Sequence, residues 1–271
     1  MTGLDEGVLA AIAPLEEGYV DVLARLVEEV TDDQRVRALW LGGSVGRGTA
    51  DVGSDLDLLV TVTDASAFAA ASAWDVLDPV ITIPIPGLAG CFAFTTREGL
   101  RVDVVLEGPD DVASSAYTHR VRVLDRDGFE PPAPLEPATG PDVERMQAIV
   151  TEFLRQSAIF PAAAVERGDW LLGQEAVHHY RRMLYDLLSE SNQPLPTMGI
   201  KQWSSRLTPQ QSELLAGLPA PTADRDSVVG AMTAVRDALR EHGRAALESV
   251  GGTWPYDADA SLAAYWQRHG L

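Results

Sequence analysis

The feature that most constrains this chain is a change of hydrophobic period across one proline-rich segment. Residues 131–141 read PPAPLEPATGP, a composition that holds backbone stiff and extended and offers no packing face. Before it, β-branched runs alternate with helical patterns. Leu15, Val22, Leu23, Leu26, Val27 and Val30 fall at helical spacing. Val36–Leu41 and Leu56–Val62 read as buried strands, the first broken by Gly42 and Gly43, and Ser66–Leu77 reads as a helix. Val80–Ile85 is β-branched but holds Pro84 and meets Pro86, which restricts it to an edge strand or a loop. Phe92–Thr95 and Val102–Leu106 flank a turn at Glu98-Gly99, and Val121–Leu124 is a weaker strand. Beyond the segment every pattern is helical: Asp142–Phe160, Asp169–Ser189 (closed by Pro194 and Pro196), Gly199–Leu207, Pro209–Leu215, Asp224–Val250 and Ala258–His269. The expected fold class is α+β. An α/β domain with a mixed sheet spans 1–130, a linker spans 131–141, and an all-α helical bundle domain spans 142–271.

Charge narrows the partners. The chain has 40 acidic and 21 basic residues in 271, a formal charge of −19. Such a surface repels phosphate backbones, so no nucleic-acid partner is expected. It attracts cationic small molecules, or it serves solubility alone. No apolar run approaches the roughly 20 residues a bilayer requires, so no membrane partner is expected. The N-terminal stretch Met1–Pro14 carries acids where a signal peptide carries bases, and the single cysteine, Cys91, fits a reducing compartment. A cytoplasmic protein, monomer or homodimer, is the expectation.

Residues 42–59 read GGSVGRGTADVGSDLDLL. Gly42 and Gly43 end a buried strand and permit close backbone approach. Ser44 then opens a short helix or turn, where N–H groups and a hydroxyl suit a phosphate, and Arg47 adds a charge-assisted contact. Asp55 and Asp57 lie two apart on the next strand, so both leave one face while Leu56 and Leu58 leave the other. Adjacent carboxylates repel unless a cation lies between them, and Mg²⁺ takes one or two carboxylates plus substrate phosphates. Asp103, among β-branched residues of a later strand, is costly if buried alone. It is better placed on the face of Asp55 and Asp57, where three acids suit two metals.

The pattern Gly-Ser, ten residues, Asp-x-Asp, then a strand carboxylate resembles the signature of the DNA polymerase β-like nucleotidyltransferase superfamily. Gly43-Ser44, Asp55, Asp57 and Asp103 match it one by one. The size and layout are similar to antibiotic nucleotidyltransferases, the streptomycin/spectinomycin adenylyltransferases and the lincosamide nucleotidyltransferases in style. The motif covers the N-terminal third; the helical half matches by layout and a few positions. One departure is Gly46, where relatives often carry alanine, which implies a looser turn.

The resemblance implies a mechanism. Two Mg²⁺ ions on Asp55, Asp57 and Asp103 grip ATP or another NTP, and Gly43, Ser44, Arg47 and Ser54 form the nucleotide-binding set. An acceptor hydroxyl attacks the α-phosphorus and pyrophosphate leaves. Asp103 ligates metal, accepts the hydroxyl proton, or does both.

In the helical half, Leu172, Ala176, Tyr180, Met183, Leu184 and Leu187 form an expected buried stripe on the helix 169–189, and Glu175, His178, Arg182 and Tyr185 a polar one. Arg182 and Lys201 resemble the basic pair that adenylyltransferase relatives send to the triphosphate. Lys201 is the one lysine beside 20 arginines. Adjacent His178 and His179 point about 100° apart and do not chelate one ion. Trp170, Glu175 and His178 are the candidate acceptor contacts, and Glu166 and Asp169 are possible bases. Trp203, Trp254 and Trp266 read as packing.

The expected activity is Mg²⁺-dependent transfer of a nucleoside monophosphate, AMP from ATP, to a hydroxyl of a small cationic molecule such as an aminoglycoside. A lincosamide or natural-product acceptor, a protein target of the antitoxin type, and a degenerate nucleotide-binding regulator are the alternatives.

Overall fold

Alternation along two neighbouring parallel strands organises the N-terminal half. The computed structural model describes residues 3–65, 68, 72–87, 91–134, 138–195 and 201–271. Six strands form one mixed sheet: β1 (Val36–Leu41), β2 (Leu56–Val62), β3 (Pro79–Pro84), β4 (Cys91–Thr96), β5 (Arg101–Glu107) and β6 (Val121–Asp125). Their order is β3-β4-β5-β2-β1-β6. Only β2 and β5 run parallel; the other neighbours are antiparallel. The proline-bounded β3 is an edge strand, as proline's missing N–H requires.

One face of the sheet is oily and carries two helices. Leu56, Leu58, Val60 and Val62 of β2 and Val102, Val104 and Leu106 of β5 pack with Val22, Leu23, Leu26 and Val30 of α2 (Gly18–Asp32) and Val8 and Ile12 of α1 (Glu6–Ile12). Burying each such side chain is worth about 1.5–3 kcal/mol. α1 begins where Asp5 accepts a hydrogen bond from the Val8 N–H, a cap inside the stretch read only for leader signals. The opposite face has a smaller apolar patch, Ala38, Trp40 and Leu59 with Val105 and Phe129. Of the expected helix Ser66–Leu77, most of 66–71 lies outside the described residues; Ser72–Leu77 is a 3-10 turn.

The chain divides into two compact units. One is Met1–Glu136 with Thr197–Lys201; the other is Pro137–Pro196 with Gln202–Leu271. The division falls within the proline-rich segment, and Lys201 groups with the sheet unit while Gln202 groups with the helical one.

The second unit consists of helices α4 (Val143–Ser157), α5 (Trp170–Ser191), α6 (Pro209–Gly217), α7 (Arg225–Ala238), α8 (Arg244–Ser249) and α9 (Tyr256–Arg268). Asp142, Asp169, Thr208 and Asp224 cap α4, α5, α6 and α7 through their side chains. The pattern 224–250 is one helical run widened by a π turn at Leu239–Gly243. Within the expected segment 199–207, the described residues form only a short 3-10 turn, Ser204–Arg206.

Phe153, Val177, Leu184, Val228, Met232, Trp254 and Trp266 form the core of this unit. The expected α5 stripe is corrected. Leu172 is exposed, whereas Gly173, Val177, Leu188 and Tyr185 are buried. α5 packs against both α4 and α7, so its buried surface is wider than one stripe. Among the described residues, no helix is long and apolar enough to cross a membrane.

Candidate active site

The site begins where β1 stops. The N–H of Gly42 donates to the Asp57 carbonyl at 2.9 Å, tying the end of β1 to the start of β2. Gly43 then adopts φ +52°, and a Cβ there would lie 1.7 Å from the Asp57 carboxylate. Only glycine satisfies both demands. The chain turns into α3, a single turn over Gly43–Gly46. Gly46 is not a loose substitute for alanine: a Cβ there would lie 2.3 Å from the His119 carbonyl oxygen. The expected loosening is overturned, since Gly46 lets the turn press against backbone.

Ser44 Oγ is shielded from solvent and has no hydrogen-bond partner among the described residues, and the same holds for Arg47 Nε. Buried polar atoms normally find partners, so an orphaned hydroxyl beside a helical turn suits a ligand oxygen. Ser54 behaves otherwise. Its hydroxyl accepts from the Asp51 N–H at 3.1 Å and donates to the Asp51 carboxylate at 3.2 Å, so it staples the 51–54 loop.

Register brings two of the acids together. Asp57 and Asp103 are direct partners on parallel β2 and β5, on the face opposite the main core. Asp55 precedes β2 rather than lying within it. Burial, then the charges of Asp55 and Asp103, push the Asp57 carboxyl up from 3.8 to about 6, against the pull of Arg47 and Lys201. Asp103 is also raised, first by burial and then by Asp55, with Lys201 and Arg101 opposing.

Two cations meet Asp55: Lys201 Nζ at 2.6 Å and Arg101 Nη2 at 3.8 Å. Sequence reasoning assigned Lys201 to a triphosphate; here it neutralises an acid. Arg101 passed unnoticed as a strand-end arginine. So did Tyr117, a phenol 36% exposed, raised by partial burial and by Cys91, Asp57, Asp103 and Glu107. It lies between a 3-10 turn and β6, where no periodic signal exists. Further along the same face, Glu107 and Arg120 form a buried two-toothed ion pair, and Arg120 also donates to the Tyr117 carbonyl.

Among the described residues, no three His, Cys, Asp or Glu side chains form a ready cage for a metal. Of the expected three acids, Asp55 is engaged by Lys201, and its charge acts on both Asp57 and Asp103. The donor chemistry still fits a hard divalent cation. Two repelling carboxylates, one of them held near pH 6, gain from a positive charge between them, and Mg²⁺ completes its shell with substrate oxygens and water.

The helical residues singled out in the sequence do not gather in one place. Arg182 Nε donates to both Asp186 oxygens, at 3.0 and 3.1 Å. His178 and Arg182 line one cavity of the helical unit, while Glu175 and His179 line another. Trp170 packs against the helical core. The candidate acceptor residues Trp170, Glu175 and His178 thus line no common cavity. Asp169 caps α5 and Glu166 pairs with His269 at 2.5 Å, so both acids have structural partners. Trp254 and Trp266 are core residues, but Trp203 is 44% exposed.

Comparison with known proteins adds one family. Residues 23–86 match the model of the nucleotidyltransferase domain. That span includes Gly43, Ser44, Asp55 and Asp57 and ends before Asp103. No curated protein matches the chain. Among solved structures, the chain is similar to the crystal structure of an aminoglycoside 6-adenyltransferase from Bacillus subtilis. The identity is 15%, the TM-score 0.44, and the match covers 91% of this chain and 97% of that one.

Proposed function

From the match of residues 23–86 to the nucleotidyltransferase domain, we propose that this chain moves AMP from ATP to a hydroxyl of a small cationic molecule, releasing pyrophosphate. The observation that carries the reading is the register pair Asp57–Asp103 beside the orphaned Ser44 hydroxyl. It joins paired carboxylates to a phosphate-type turn on one sheet face.

Asp57 and Asp103, with Asp55, are the residues that would hold Mg²⁺. Bound there, the ion would neutralise phosphate charge and polarise the phosphorus centre. The Ser44 hydroxyl donates to a phosphate oxygen, and Arg47 lends positive charge beside it. Lys201 exchanges Asp55 for the triphosphate, a compact ammonium being suited to phosphate. Asp103 accepts the proton of the attacking hydroxyl; its raised pKa brings it nearer the working pH of a general base. The −19 charge favours a cationic acceptor such as an aminoglycoside over a nucleic acid. The setting we propose is cytoplasmic.

The test is pyrophosphate release with Mg²⁺ and each of four NTPs, across aminoglycosides, lincosamides and a blank without acceptor. Release that needs an acceptor and vanishes in Asp55→Asn supports the proposal. No release from any pair, with no NTP binding, overturns it.

A further inference from the structure

The sheet ends in two edge strands, and the sequence treats them differently. β6 carries Arg122 and Asp125 and runs on into Arg126 and Asp127. Charge of this kind keeps an edge from pairing with another strand. β3, at the other end, has none. Residues 79–96 contain no Asp, Glu, Lys, Arg or His, in a chain whose formal charge is −19. Instead Val80, Ile81 and Ile83 stand 51%, 52% and 54% exposed. Among the described residues, no strand pairs with the outer side of β3.

Hydrogen bonding fixes what the β3 edge offers. The Ile85 N–H, just past the strand, donates to the Cys91 carbonyl at 2.8 Å. Alternation then turns the backbone of Ile83 and Ile81 inward to β4 and that of Thr82 outward. Pro84 also falls at an outward position, where its missing N–H breaks no bond to β4. A register shift between Pro79 and Ile81 marks the other end. The open edge is thus short and centred on Thr82. Ile81 and Ile83 lie opposite Thr95 and Ala93, and Ala93 lies opposite Asp103. Both isoleucines therefore leave the acid face of the sheet.

We infer that β3 is a docking edge for a second copy of this chain, paired antiparallel about a two-fold axis at Thr82. Such pairing is self-complementary. The two Thr82 residues exchange N–H···O=C bonds, and Val80 of each copy lies across from Pro84 of the other. Ile81 of each copy lies across from Ile83 of the other, so four isoleucines cover one another on one face. Charge selects the occupant. Two copies of charge −19 repel, and they approach at least cost where both lack charge, which is the stretch 79–96. The two-fold contact uses up this edge in both copies, so pairing through it stops at two.

The test is sedimentation equilibrium of the full chain over about 1–100 μM, with hydrogen exchange read at the Thr82 amide. The parent should be dimeric at the upper concentration. Its Thr82 amide, open to water in a single copy, should be protected there and lose protection on dilution. Thr82→Pro removes the outward N–H and spares the bonds to β4, and Ile83→Lys sets a charge on the seam. Each should weaken dimerisation by about 10-fold or more, the loss expected for two ladder hydrogen bonds, while melting curves show both variants folded. Thr82→Ser should leave dimerisation unchanged. A parent that stays monomeric at the upper concentration overturns the inference. So does a dimer whose Thr82 amide exchanges as fast as in the monomer, or a dimer that both variants leave intact.

Discussion

The sheet face carrying Asp57 and the helix α5 carrying Arg182 present polar residues in contrasting ways. On the sheet, Asp57 and Asp103 are aligned by hydrogen-bonded register, crowd each other, and stand beside a hydroxyl with no partner among the described residues. On α5, the polar residues are dispersed: Arg182 is spent on Asp186, and His178 and Glu175 line separate cavities. Tension concentrated at one place marks chemistry, because a stable fold otherwise pairs or hydrates its polar groups. Satisfied groups on a helix mark structure.

Substitutions should respect this contrast. Asp57→Asn should have the largest effect, lowering pyrophosphate release by about 10³-fold or more through loss of a metal-facing charge. The same change should stabilise the protein without ligand. The folded carboxyl is raised from 3.8 to about 6. Its favourable contribution is therefore complete below pH ~4 and is lost as pH rises through about 6. Thermal melting should show Asp57→Asn matching the parent at pH 4 and exceeding it at pH 8, by on the order of 2 kcal/mol. A variant less stable at pH 8 would make the acid pair structural and erase the contrast.

Glu107→Gln should cost about 3–5 kcal/mol in denaturant unfolding, since it strands Arg120 as a buried charge. Gly43→Ala should cost about 1–3 kcal/mol from backbone strain alone. It should also reduce activity, because the new methyl displaces the Asp57 carboxylate. Ser44→Ala should reduce activity about 10- to 100-fold in steady-state assays. Its stability should change by less than ~0.5 kcal/mol, no hydrogen bond being lost in the free protein. Glu175→Ala should be the mildest, within about twofold in activity, as expected of an α5 residue outside the acid face. A large loss there would return α5 to the acceptor site.

These expectations trace how much the sequence discloses. β2 and β5 are legible because a period of two assigns every side chain to a face once Leu56, Leu58, Val102 and Val104 define the core. Asp57 and Asp103 follow from that rule. Gly43 is legible as a turn, but its contact with Asp57 depends on how two strand ends meet. The α5 faces were misjudged at Leu172 and Tyr185, because a helix packed on several sides has no single polar stripe. Arg101 and Tyr117 carry no pattern at all. Arg101 meets Asp55 from the start of β5, and Tyr117 lies in the loop before β6, positions that depend on tertiary contacts.

The most direct measurement is calorimetric binding of ATP with and without Mg²⁺ to the parent and to Asp57→Asn. The account predicts binding that requires Mg²⁺ in the parent and is lost in the variant. Equal, metal-independent binding in both proteins would contradict the claim that the acid face is where this chain grips its nucleotide.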